Sequence, residues 1–418
     1  MPQLTDDCFA HGGELMRTDA ALAEIAARTT RVTEAETVPL RDALGRILLA
    51  DVVAAGNVPP HDNSAVDGYA IHFDDLDPDG DTRLPVGARV TAGHPLDRPQ
   101  PRGEAVRIFT GARMPTGPDT VVMQEDAREE GGHVVVPPGV RRGDNRRKAG
   151  EDIRAGDTVL HAGRRLRPQD LGQAAAAGRA ELAVSRRLRV AVFSTGDELC
   201  EPGTALAPGC IYDSNRHTIA GLLRAQGCAV LDMGILADTY DTVVAALAEA
   251  AQRADLIVTS GGISVGEEDH VRHAVEAQGQ IHMWKLAIKP GRPIALGQVG
   301  RVPFAGFPGN PVAVMVTFIN VVRPLILALM GAAPERPATY RVPAGFSHKK
   351  KPARREWLRA RLVADPQTGW RAEKFERQGS GILSSLVASD GLVELPEDTT
   401  SIAEGDMIAF MPFSEVAP

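Results

Sequence analysis

The feature that most constrains this chain is an alternation of apolar runs and helical segments between residues 188 and 278. The runs LRVAVFSTG (188–196), AVLDMGIL (229–236) and DLIVTSGG (255–262) have the length and apolar character of buried strands. Helices are expected after each run, near residues 215–227, 239–253 and 268–278. This order predicts a doubly wound α/β domain that binds its ligand at the carboxyl ends of the strands.

The regions on either side of this domain have different patterns. An amphipathic helix is predicted over residues 18–30, with Leu22, Ile25 and Ala26 on one face. From about 56 to 155, short apolar runs separated by Gly, Pro and Asp predict a small β-rich domain. After about residue 335, EWLRARLV (356–363), GLVEL (391–395) and MIAF (407–410) predict strands of a small β-barrel-like domain. The 418 residues are enough for about three domains.

Charge and cysteine content exclude several classes of protein. The net charge is −8 and aromatic residues make up only 4% of the chain, which argues against a nucleic-acid-binding protein. The four cysteines form no C-x-x-C pair, so neither a zinc knuckle nor a redox dithiol is indicated. So few cysteines in so long a chain also argue against a disulfide scaffold.

One long apolar stretch, PVAVMVTFINVVRPLILALM (311–330), raises the question of a membrane span. Asn320, Arg323 and Pro324 lie within it, and a charge inside lipid is costly. A buried helix is therefore the favoured interpretation. The N-terminal residues MPQLTDDCFA do not have the pattern of a secretory signal, so we expect a cytoplasmic protein with no membrane partner.

Short polar motifs are the candidates for a functional site. The most polar is HDNSAVDGYA (61–70), which alone is either a surface loop or a site. Four other motifs join Gly or Pro to charged residues or Asn, and together they favour a site: STGDEL (194–199), SGGISVGEED (260–269), KPGRP (289–293) and FPGNP (307–311).

The glycine-rich turn at 260–266 lies between a predicted strand and a predicted helix. Glycines let the backbone approach an anion, and a helix N-terminus directs amide donors at it. The turn has neither the G-K-[ST] of a Walker motif nor the G-x-G-x-x-G fingerprint. It therefore predicts either a phosphate-bearing ligand or simply a tight strand–helix turn.

Carboxylates recur near these motifs, at Asp62, Asp152, Glu198, Asp238 and Asp269. If they converge they require a cation, and Mg²⁺ with water and ligand phosphate would satisfy them. Asp238 alone could equally cap a helix, and Asp269 alone could be a favourable charge in a first helical turn. His270 and His273 are interpreted as surface residues rather than metal ligands.

A local positive site is predicted in KLAIKPGRP (285–293). Lys285, Lys289 and Arg292 lie on a turn stiffened by prolines, which suits an oxyanion or phosphate. FPGNP precedes the apolar helix and places Pro311 in its first turn. Taken alone, this segment favours a structural role over ligand binding. The basic run HKKKPARR (348–355) is interpreted as a solvated loop.

The motifs HDNSAVDGYA, RIFTGARMP, GED, STGDEL, SGGISVGEED, KLAIKPGRP, FPGNP and QGSGILSSL occur here in one order. This set strongly resembles the molybdopterin molybdenumtransferase family, which includes bacterial MoeA and the gephyrin E domain. The resemblance implies four parts: an N-terminal linking domain (1–55 and 156–185), an inserted β-rich domain (56–155), an α/β domain similar to the molybdopterin adenylyltransferases (186–332) and a C-terminal β-barrel (333–418). It also implies an elongated homodimer with the cleft between the α/β domain of one subunit and parts of the other.

The reaction implied by the resemblance inserts molybdenum from molybdate into adenylylated molybdopterin and hydrolyses the adenylate with Mg²⁺. Matching the motifs implies catalytic roles for Asp62, Thr110, Asp152, Glu198, Asp238, Asp269, Lys285 and Lys289, the metal ligands being Glu198, Asp238 and Asp269. It implies substrate-binding roles for Ser194, Thr195, Gly196, Asp213, Ser214, Asn215, Ser260, Gly261, Gly262, Ser264, Arg292, Pro308, Gly309, Asn310, Pro311, Arg359 and Ser380. Arg292 stands where the family often has Lys, and Ala313 where it often has Ser.

Two other functions remain open on the sequence. The α/β domain alone would fit a molybdopterin adenylyltransferase, although that enzyme is usually a lone α/β domain. A gephyrin-like scaffold without turnover is the non-enzymatic alternative, and the intact acidic and basic motifs argue against it. Transient contacts with the adenylyltransferase and with molybdoenzyme maturation proteins are expected partners, and the residues do not separate molybdate from tungstate.

Overall fold

The computed structural model of the chain describes residues 15–261 and 270–417. The N-terminal part contains α1 (Thr18–Arg28), β1 (Ala35–Pro39) and β2 (Val52–Val53). The predicted apolar face of α1 is partly wrong, because Ala26 is exposed and Leu22 is only half-buried. The buried face runs through Thr18, Ala21 and Ile25, at the spacing of one helical stripe.

The β-rich region follows, and its strands pair with one another. They are β3 (Asn63–Ser64), β4 (Gly68–Ile71), β5 (Thr82–Val90), β6 (Ala105–Ile108), β7 (Thr120–Met123), β8 (Arg128–Glu130), β9 (His133–Val136) and β10 (Arg146–Arg147). Six form a sheet in the order β7-β4-β6-β5-β9-β8, and β10 pairs with β3. The chain enters and leaves side by side, because the Val58 N–H donates to the carbonyl of Ile153 at 2.7 Å. An insertion requires such adjacent ends.

After this insertion the chain returns to the N-terminal part. The returning elements are β11 (Thr158–Leu160), α2 (Pro168–Ala176) and β12 (Glu181–Ser185). β11 pairs with β2 and β12 with β1, both antiparallel. Leu48, Leu160 and Val184 are fully buried in the core that both halves build. The residue limits 1–55, 56–155 and 156–185 nevertheless stay predictions.

The α/β domain is built on a six-stranded sheet. Its elements are β13 (Arg189–Thr195), β14 (Leu199–Cys200), β15 (Ile211–Tyr212), α3 (Asn215–Ala225), β16 (Ala229–Leu236), α4 (Tyr240–Arg253), β17 (Leu256–Ser260), α5 (His270–Gln278), β18 (Gly279–Lys285), β19 (Ile288–Lys289), β20 (Pro293–Val299), β21 (Val302–Phe307), α6 (Pro311–Thr317) and α7 (Arg323–Leu329). The sheet order is β16-β13-β17-β21-β20-β18. The predicted strands at 188–196, 229–236 and 255–262 and the predicted helices around 215–278 are thereby confirmed within the described residues.

Both faces of this sheet are covered, which confirms the doubly wound architecture. Val190 and Val192 of β13 pack in one core with α3 and the apolar helix, whereas Ala191 and Phe193 pack in a second core with α4 and α5. This alternation follows from the two-residue period of a strand. β16, β13, β17 and β21 are parallel, and β20 and β18 complete the sheet with antiparallel pairings. These last two strands were not predicted.

The long apolar segment Pro311–Leu329 is a core helix in this fold. Its two α-helical parts, α6 and α7, are joined by a π-helical turn at Phe318–Val322. The segment is long and apolar enough to cross a membrane, with a mean hydropathy of 2.2, but 78% of it is buried inside the protein. Burial of Val314, Phe318 and Ile326 in the core accounts for its composition. The expectation of a buried helix is confirmed.

The C-terminal part is mainly β-structure. Its elements are β22 (Tyr340–Pro343), β23 (His348–Lys349), β24 (Arg355–Asp365), β25 (Gly369–Lys374), α8 (Ser384–Val387), β26 (Gly391–Leu395), β27 (Ser401–Ile402) and β28 (Met407–Pro412). The sheet order is β19-β24-β26-β28-β22, with β25 also paired to β24 and a separate β23–β27 pair. A single bridge joins Ala344 to Ala372. The β-barrel itself stays a prediction.

The interpretation of the basic run 348–355 as a solvated loop is only partly right, because Lys349 and residues 351–353 are exposed whereas the other basic residues of the run are not. His348 is largely buried, and Lys350 and Arg355 are each only 8% exposed. Arg355 forms ion pairs with Asp19, Glu394 and Glu397, and the ammonium of Lys350 donates to the backbone carbonyl of Arg354 at 2.7 Å. Buried cations need such partners, and one sequence segment does not reveal partners supplied by distant segments.

Short 3₁₀ turns complete the secondary structure. They lie at Leu40–Asp42, Phe73–Asp75, Gln124–Asp126 and Phe413–Glu415.

Candidate functional site

The carboxyl edge of the parallel strands carries a cluster of polar residues. Thr195 ends β13, and its hydroxyl donates to the carboxylate of Asp238, which follows β16, at 2.9 Å. Neighbouring parallel strands end at the same edge of a sheet, so the fold itself brings these two residues together. Asp238 therefore does not cap α4, whose N-cap residue is Thr239.

Gly261 brings a second loop onto the end of β13. Its backbone has a φ of +89°, and a Cβ at this position would lie 2.7 Å from the carbonyl oxygen of Thr195. Only glycine satisfies both conditions without strain. The STG and SGG loops therefore meet between β13 and β17, the point where the strand order reverses.

Asn215 connects this cluster to the start of the apolar helix. It stands at the N-terminus of α3, and its amide nitrogen donates to the Ser260 hydroxyl at 2.9 Å and to the Gly309 carbonyl at 2.8 Å. Gly309 and Asn310 are exposed in the FPGNP turn, and Pro311 is the first residue of α6. We call Thr195, Asn215, Asp238, Ser260 and Gly261 the strand-end cluster.

Two of the three predicted cations lie at the same edge of the sheet. β18 ends at Lys285, which pairs with Pro293 at the start of β20, and Arg292 comes directly before β20. Because β18 runs in the direction of the parallel strands, its end lies at their carboxyl edge. Lys285 and Arg292 are exposed, and neither forms an ion pair with another residue of the described chain.

The turn that carries these cations packs on the first turns of α6. Gly291 has a φ of +96°, and a Cβ there would be 2.7 Å from the Thr317 methyl carbon and 3.3 Å from the Ala313 carbonyl oxygen. The close approach requires glycine. It brings the basic turn beside α6, and Asn215 contacts the Gly309 carbonyl in the turn that precedes this helix.

Lys289 differs from its two basic neighbours. It lies in β19, which pairs in parallel with β24 of the C-terminal part. Its ammonium donates to the carboxylate of Glu356 at 2.7 Å, and Glu356 is only 4% exposed. The segment predicted as a basic turn therefore includes a short strand, β19, which pairs the α/β domain with the C-terminal part of the chain.

In the inserted region, Asp62 is held by a defined set of donors. Its carboxylate accepts from the Ala149 backbone N–H at 2.7 Å and from Nε of Arg146 at 2.8 Å, and Nη2 of Arg146 also donates to it. The Ala149 bond and the Arg146 guanidinium lower the pKa of Asp62 although burial opposes this. The carboxylate is therefore ionised at neutral pH, with Arg146 as its partner.

Thr110 has a partner in the same polar motif. The carboxylate of Asp67 accepts from the backbone N–H of Thr110 at 2.8 Å and from its hydroxyl at 2.7 Å. Both bonds lower the pKa of Asp67. Thr110 is exposed, so its hydroxyl oxygen remains accessible as an acceptor.

Other predicted residues are placed in different surroundings. Asp152 and Glu198 are exposed, and the Glu198 carboxylate lies beside Gly196, where a Cβ would be 2.6 Å from it. Asp213 is buried and binds Nε of Arg216 at 3.1 Å, so its carboxylate has a structural partner. Ser194 and Pro308 are buried and Ser214 is half-buried. Gly262, Ser264 and Asp269 lie outside the described residues.

Arg359 organises a loop instead of facing solvent. It is 1% exposed, and its guanidinium donates to the Ser385 hydroxyl at 3.0 Å and the Gly379 carbonyl at 2.9 Å. Burial lowers its pKa to about 10, so the group is still a cation at neutral pH. The neighbouring carbonyl of Ser380 accepts from the Val312 N–H of α6 at 3.0 Å. This arrangement favours a supporting role for Arg359 over direct contact with an anion.

Among the residues that the structure describes, no side-chain hydrogen bond joins the predicted residues of the inserted region to the strand-end cluster. The side chains of Asp62 and Thr110 have their described partners inside the inserted region, at Arg146, Ala149 and Asp67. A cleft that combines them with the strand-end cluster therefore stays a prediction, and it involves a second copy of the chain.

Sequence reasoning did not include Asp67, Arg146 or Glu356 among the site residues. Asp67 had a signal, since it belongs to HDNSAVDGYA. Glu356 had none, because its partner Lys289 is 67 residues away in the sequence and is brought beside it only by the pairing of β19 with β24.

The donors at the strand-end edge suit a hard divalent cation. Glu198 and Asp238 offer carboxylate oxygens, the ligand type that Mg²⁺ prefers. Mg²⁺ needs only one or two protein carboxylates when waters and phosphate oxygens complete its shell. The donor chemistry therefore fits this ion, although the described residues contain no group of three such side chains.

Comparisons with known proteins show the family to which this chain belongs. Three family models match in order: "MoeA N-terminal region (domain I and II)" over residues 16–178, "Probable molybdopterin binding domain" over 191–328 and "MoeA C-terminal region (domain IV)" over 341–413. Molybdopterin molybdenumtransferase of Haemophilus influenzae is 38% identical over 92% of this chain and 95% of its own length. Molybdopterin molybdenumtransferase 2 of Mycobacterium tuberculosis is 37% identical over 92% of this chain and 96% of its own length.

A solved structure shares the whole architecture. The molybdopterin biosynthesis moeA protein of Pyrococcus horikoshii OT3 superposes with a TM-score of 0.80 at 28% identity, covering 96% of this chain and 100% of that one. The multidomain α/β fold implied by the resemblance is thereby confirmed. From identity of this level over nearly full length, and from the three models in one order, the chain belongs to the molybdopterin molybdenumtransferase (MoeA) family of transferases.

Proposed function

We propose that this chain inserts molybdenum from molybdate into adenylylated molybdopterin, with hydrolysis of the adenylate, in molybdenum cofactor biosynthesis. One observation carries the proposal: Lys285 and Arg292, which form no ion pair with a described residue, lie at the same sheet edge as the Thr195–Asp238 pair. This edge carries positive charge at the end of β18 and a carboxylate at the ends of β13 and β16, with β17, β21 and β20 between them.

The reaction needs that positive charge because both substrates are anionic. Molybdate carries two negative charges, and adenylylated molybdopterin carries a pyrophosphate. Two such groups repel each other at short range unless fixed cations lie between or beside them. Lys285, Lys289 and Arg292 hold the oxyanion in this proposal, and the planar guanidinium of Arg292 suits two parallel hydrogen bonds.

The strand-end loops hold the pterin and its phosphates. The glycine-rich loop at Ser260 and Gly261, with Gly262 and Ser264, brings backbone amides to the pyrophosphate. Further contacts in the proposal come from Ser194, Thr195, Gly196, Asp213, Ser214, Asn215, Pro308, Gly309, Asn310, Pro311 and Ser380, with Arg359 supporting the loop that carries Ser380.

Mg²⁺ is the proposed metal, with Glu198, Asp238 and Asp269 as the residues that would hold it. When bound, the ion supplies Lewis-acid polarisation of a phosphoryl oxygen. Thr195 fixes one carboxylate oxygen of Asp238.

The complete site belongs to a homodimer in this proposal. Asp62, Thr110 and Asp152 of one subunit face the strand-end cluster of the other, and Arg146 and Asp67 hold the first two in place. The protein works in the cytoplasm, and it contacts the adenylyltransferase and molybdoenzyme maturation proteins transiently.

The decisive experiment is a turnover assay. Purified protein is incubated with adenylylated molybdopterin, Mg²⁺ and either molybdate or tungstate, while AMP release and cofactor formation are followed. We expect AMP release that depends on the oxyanion, and its absence with both oxyanions would refute the proposal. ATP consumption without molybdate would instead indicate an adenylyltransferase.

Charge at the basic turn is tested by Lys285→Ala and Arg292→Ala. Both side chains are exposed, so these variants should fold normally. Each should raise the KM for molybdate by about tenfold, as the loss of one charge-assisted contact predicts. Arg301→Ala is the matched control, since Arg301 is exposed at the β20–β21 turn, on the opposite edge of the same sheet. An equal effect in all three variants would contradict the assignment.

A further inference from the structure

A buried carboxylate lies beneath the basic turn. Glu356 of β24 is directly paired in strand register with Lys289 of β19. The ammonium of Lys289 donates to Oε1 of Glu356 at 2.7 Å. The Glu356 side chain is 5% exposed, whereas that of Lys289 is 47% exposed. The pair thus joins a buried anchor to a cation that reaches solvent.

Lys289 is the lysine partner of this carboxylate in the ion pair. Nε2 of His348 lies 3.5 Å from the same Oε1 atom. Burial lowers the pKa of His348, so the imidazole is neutral at pH 7. Among the described residues, no further cation lies within ion-pair distance of Glu356.

The two partners depend on this contact to different extents. An unpaired carboxylate in the protein interior is costly, so Glu356 needs Lys289. Lys289 is half exposed, and water could solvate its ammonium without Glu356. What the contact does for Lys289 is fix the end of a flexible four-carbon side chain.

A fixed ammonium is useful for binding an anion. The ammonium has three N–H donors, and Glu356 takes one of them. Holding the side chain in advance removes the conformational entropy that anion binding would otherwise cost. The β19–β24 pairing fixes the backbone on both sides of the contact.

We propose that Glu356 is a positioning residue that holds the Lys289 ammonium ready for the oxyanion substrate. The inference rests on the proposed function, because it takes molybdate as the anion at the basic turn. Glu356 does not touch the substrate; the C-terminal part of the chain contributes to the site through Lys289.

The first test measures steady-state kinetics of two variants. Glu356→Ala removes the anchor, and we expect the KM for molybdate to rise about tenfold, equivalent to about 1.4 kcal/mol of binding energy. The kcat should change by less than about twofold, because the contact aids binding of the ground state. Glu356→Gln keeps an acceptor oxygen at the same position and should restore most of the affinity. A wild-type KM in folded Glu356→Ala would overturn the proposal.

A matched control separates positioning from a general loss of stability. Glu373 lies in the neighbouring strand β25 and forms ion pairs with Arg361 and Arg371, which Glu373→Ala removes. We expect no change in the KM for molybdate. Thermal unfolding of every variant shows whether the fold is intact, and a KM increase in Glu373→Ala equal to that in Glu356→Ala would contradict the inference.

A double-mutant cycle tests whether Glu356 acts through Lys289. Lys289→Ala alone leaves the buried Glu356 unpaired and is expected to be destabilised. Lys289→Ala/Glu356→Ala removes both charges and should fold better. If Glu356 acts through Lys289, the double variant has the same KM for molybdate as Lys289→Ala. A further increase in the double variant would show an independent role and overturn the proposal.

Chemical labelling distinguishes failure of this inference from failure of the proposed function. A lysine-directed acylating ester is applied to the intact protein, and modification of Lys289 is followed by peptide mass spectrometry. Lys289 should be labelled several-fold faster in Glu356→Ala than in wild type or in Glu373→Ala, because the amine is no longer held. If wild type lacks molybdate-dependent turnover, the proposed function fails while this labelling result still reports the anchor. Equal labelling rates would show that no anchor exists.

Discussion

The hydroxyl of Thr195 donates a 2.9 Å hydrogen bond to the carboxylate of Asp238. The bond joins the carboxyl ends of two adjacent parallel strands, β13 and β16. Thr195 is 2% exposed, so the donor is fixed in the core while its acceptor reaches the edge of the sheet. The core thereby orients a carboxylate that we propose as a metal ligand.

Thr195→Val tests whether the Thr195 hydroxyl orients the Asp238 carboxylate or whether the side chain of Thr195 only fills space in the core. Valine has nearly the same shape but no hydroxyl, so Asp238 loses a fixed partner. Turnover should fall about tenfold, and the free energy of unfolding should fall by about 2 kcal/mol, typical of a lost hydrogen bond to a charged group. Turnover assays and urea denaturation measure both effects.

The control for that variant is Thr239→Val. The Thr239 hydroxyl bonds to Thr242 at the start of α4, one residue beyond Asp238, and is exposed. It should leave turnover unchanged. Wild-type turnover in Thr195→Val would show that the bond does not orient Asp238 for the reaction.

Asn215→Ala should disconnect the strand-end cluster from α6. The variant loses the hydrogen bonds to Ser260 and Gly309, worth about 1 kcal/mol each. We expect a free energy of unfolding lower by about 2 kcal/mol and weaker binding of adenylylated molybdopterin, measured by denaturation and by KM.

Asn320→Ala is its control, because the Asn320 amide donates to a single helix carbonyl, that of Val316, at 2.8 Å. It should lower stability by about 1 kcal/mol and leave the KM unchanged. If Asn215→Ala also left the KM unchanged, Asn215 would be a structural residue alone.

Asp255→Asn should reduce stability in a pH-dependent way without affecting the site. Burial alone would raise the pKa of Asp255, but hydrogen bonds from Arg189 and Arg186 lower it to about 2. The unfolded value is about 3.9, so the ionised group contributes about 2 kcal/mol above about pH 4. This contribution is lost as the pH falls from about 4 to about 2.

Urea denaturation across this pH range measures the difference between wild type and Asp255→Asn. We expect the variant to be less stable by about 2 kcal/mol at pH 7 and the gap to close near pH 2. Glu249→Gln removes the exposed ion pair with Arg253 and should change stability by less than about 0.5 kcal/mol. A gap independent of pH would exclude ionisation of Asp255 as its cause.

Cys228 should be unreactive in the native protein. It is 6% exposed, and burial raises its pKa to about 12, so almost no thiolate exists at pH 8. Cys200 and Cys210 are half-buried and should react with iodoacetamide under the same conditions. Mass spectrometry of native and urea-unfolded protein measures labelling, and Cys228 should be modified only after unfolding. Rapid labelling of native Cys228 would contradict its burial.

The local pattern of the sequence was sufficient to predict the main strands and helices of the α/β domain. Continuous apolar runs specified β13, β16 and β17, and helical spacing specified α3 and α4, since both periodicities depend on neighbouring residues alone. Parallel strands of this order end at one edge, so the meeting of the STG and SGG loops also followed from the sequence.

Elsewhere the tertiary structure decided what the local pattern left open or suggested wrongly. The segment 279–307 contributes β18 and β20 through antiparallel pairing, and Arg355 of the basic run is buried with acidic partners from distant segments. Arg359 holds a loop, and Glu356 pairs with a lysine that is distant in the sequence but lies on the adjacent strand of the same sheet. The sequence by itself determined which segments become strands and helices and which residue types are present. Which charges are paired, buried or left free was decided by contacts between distant segments, because the cost of burying a charge depends on partners that only the folded chain brings near.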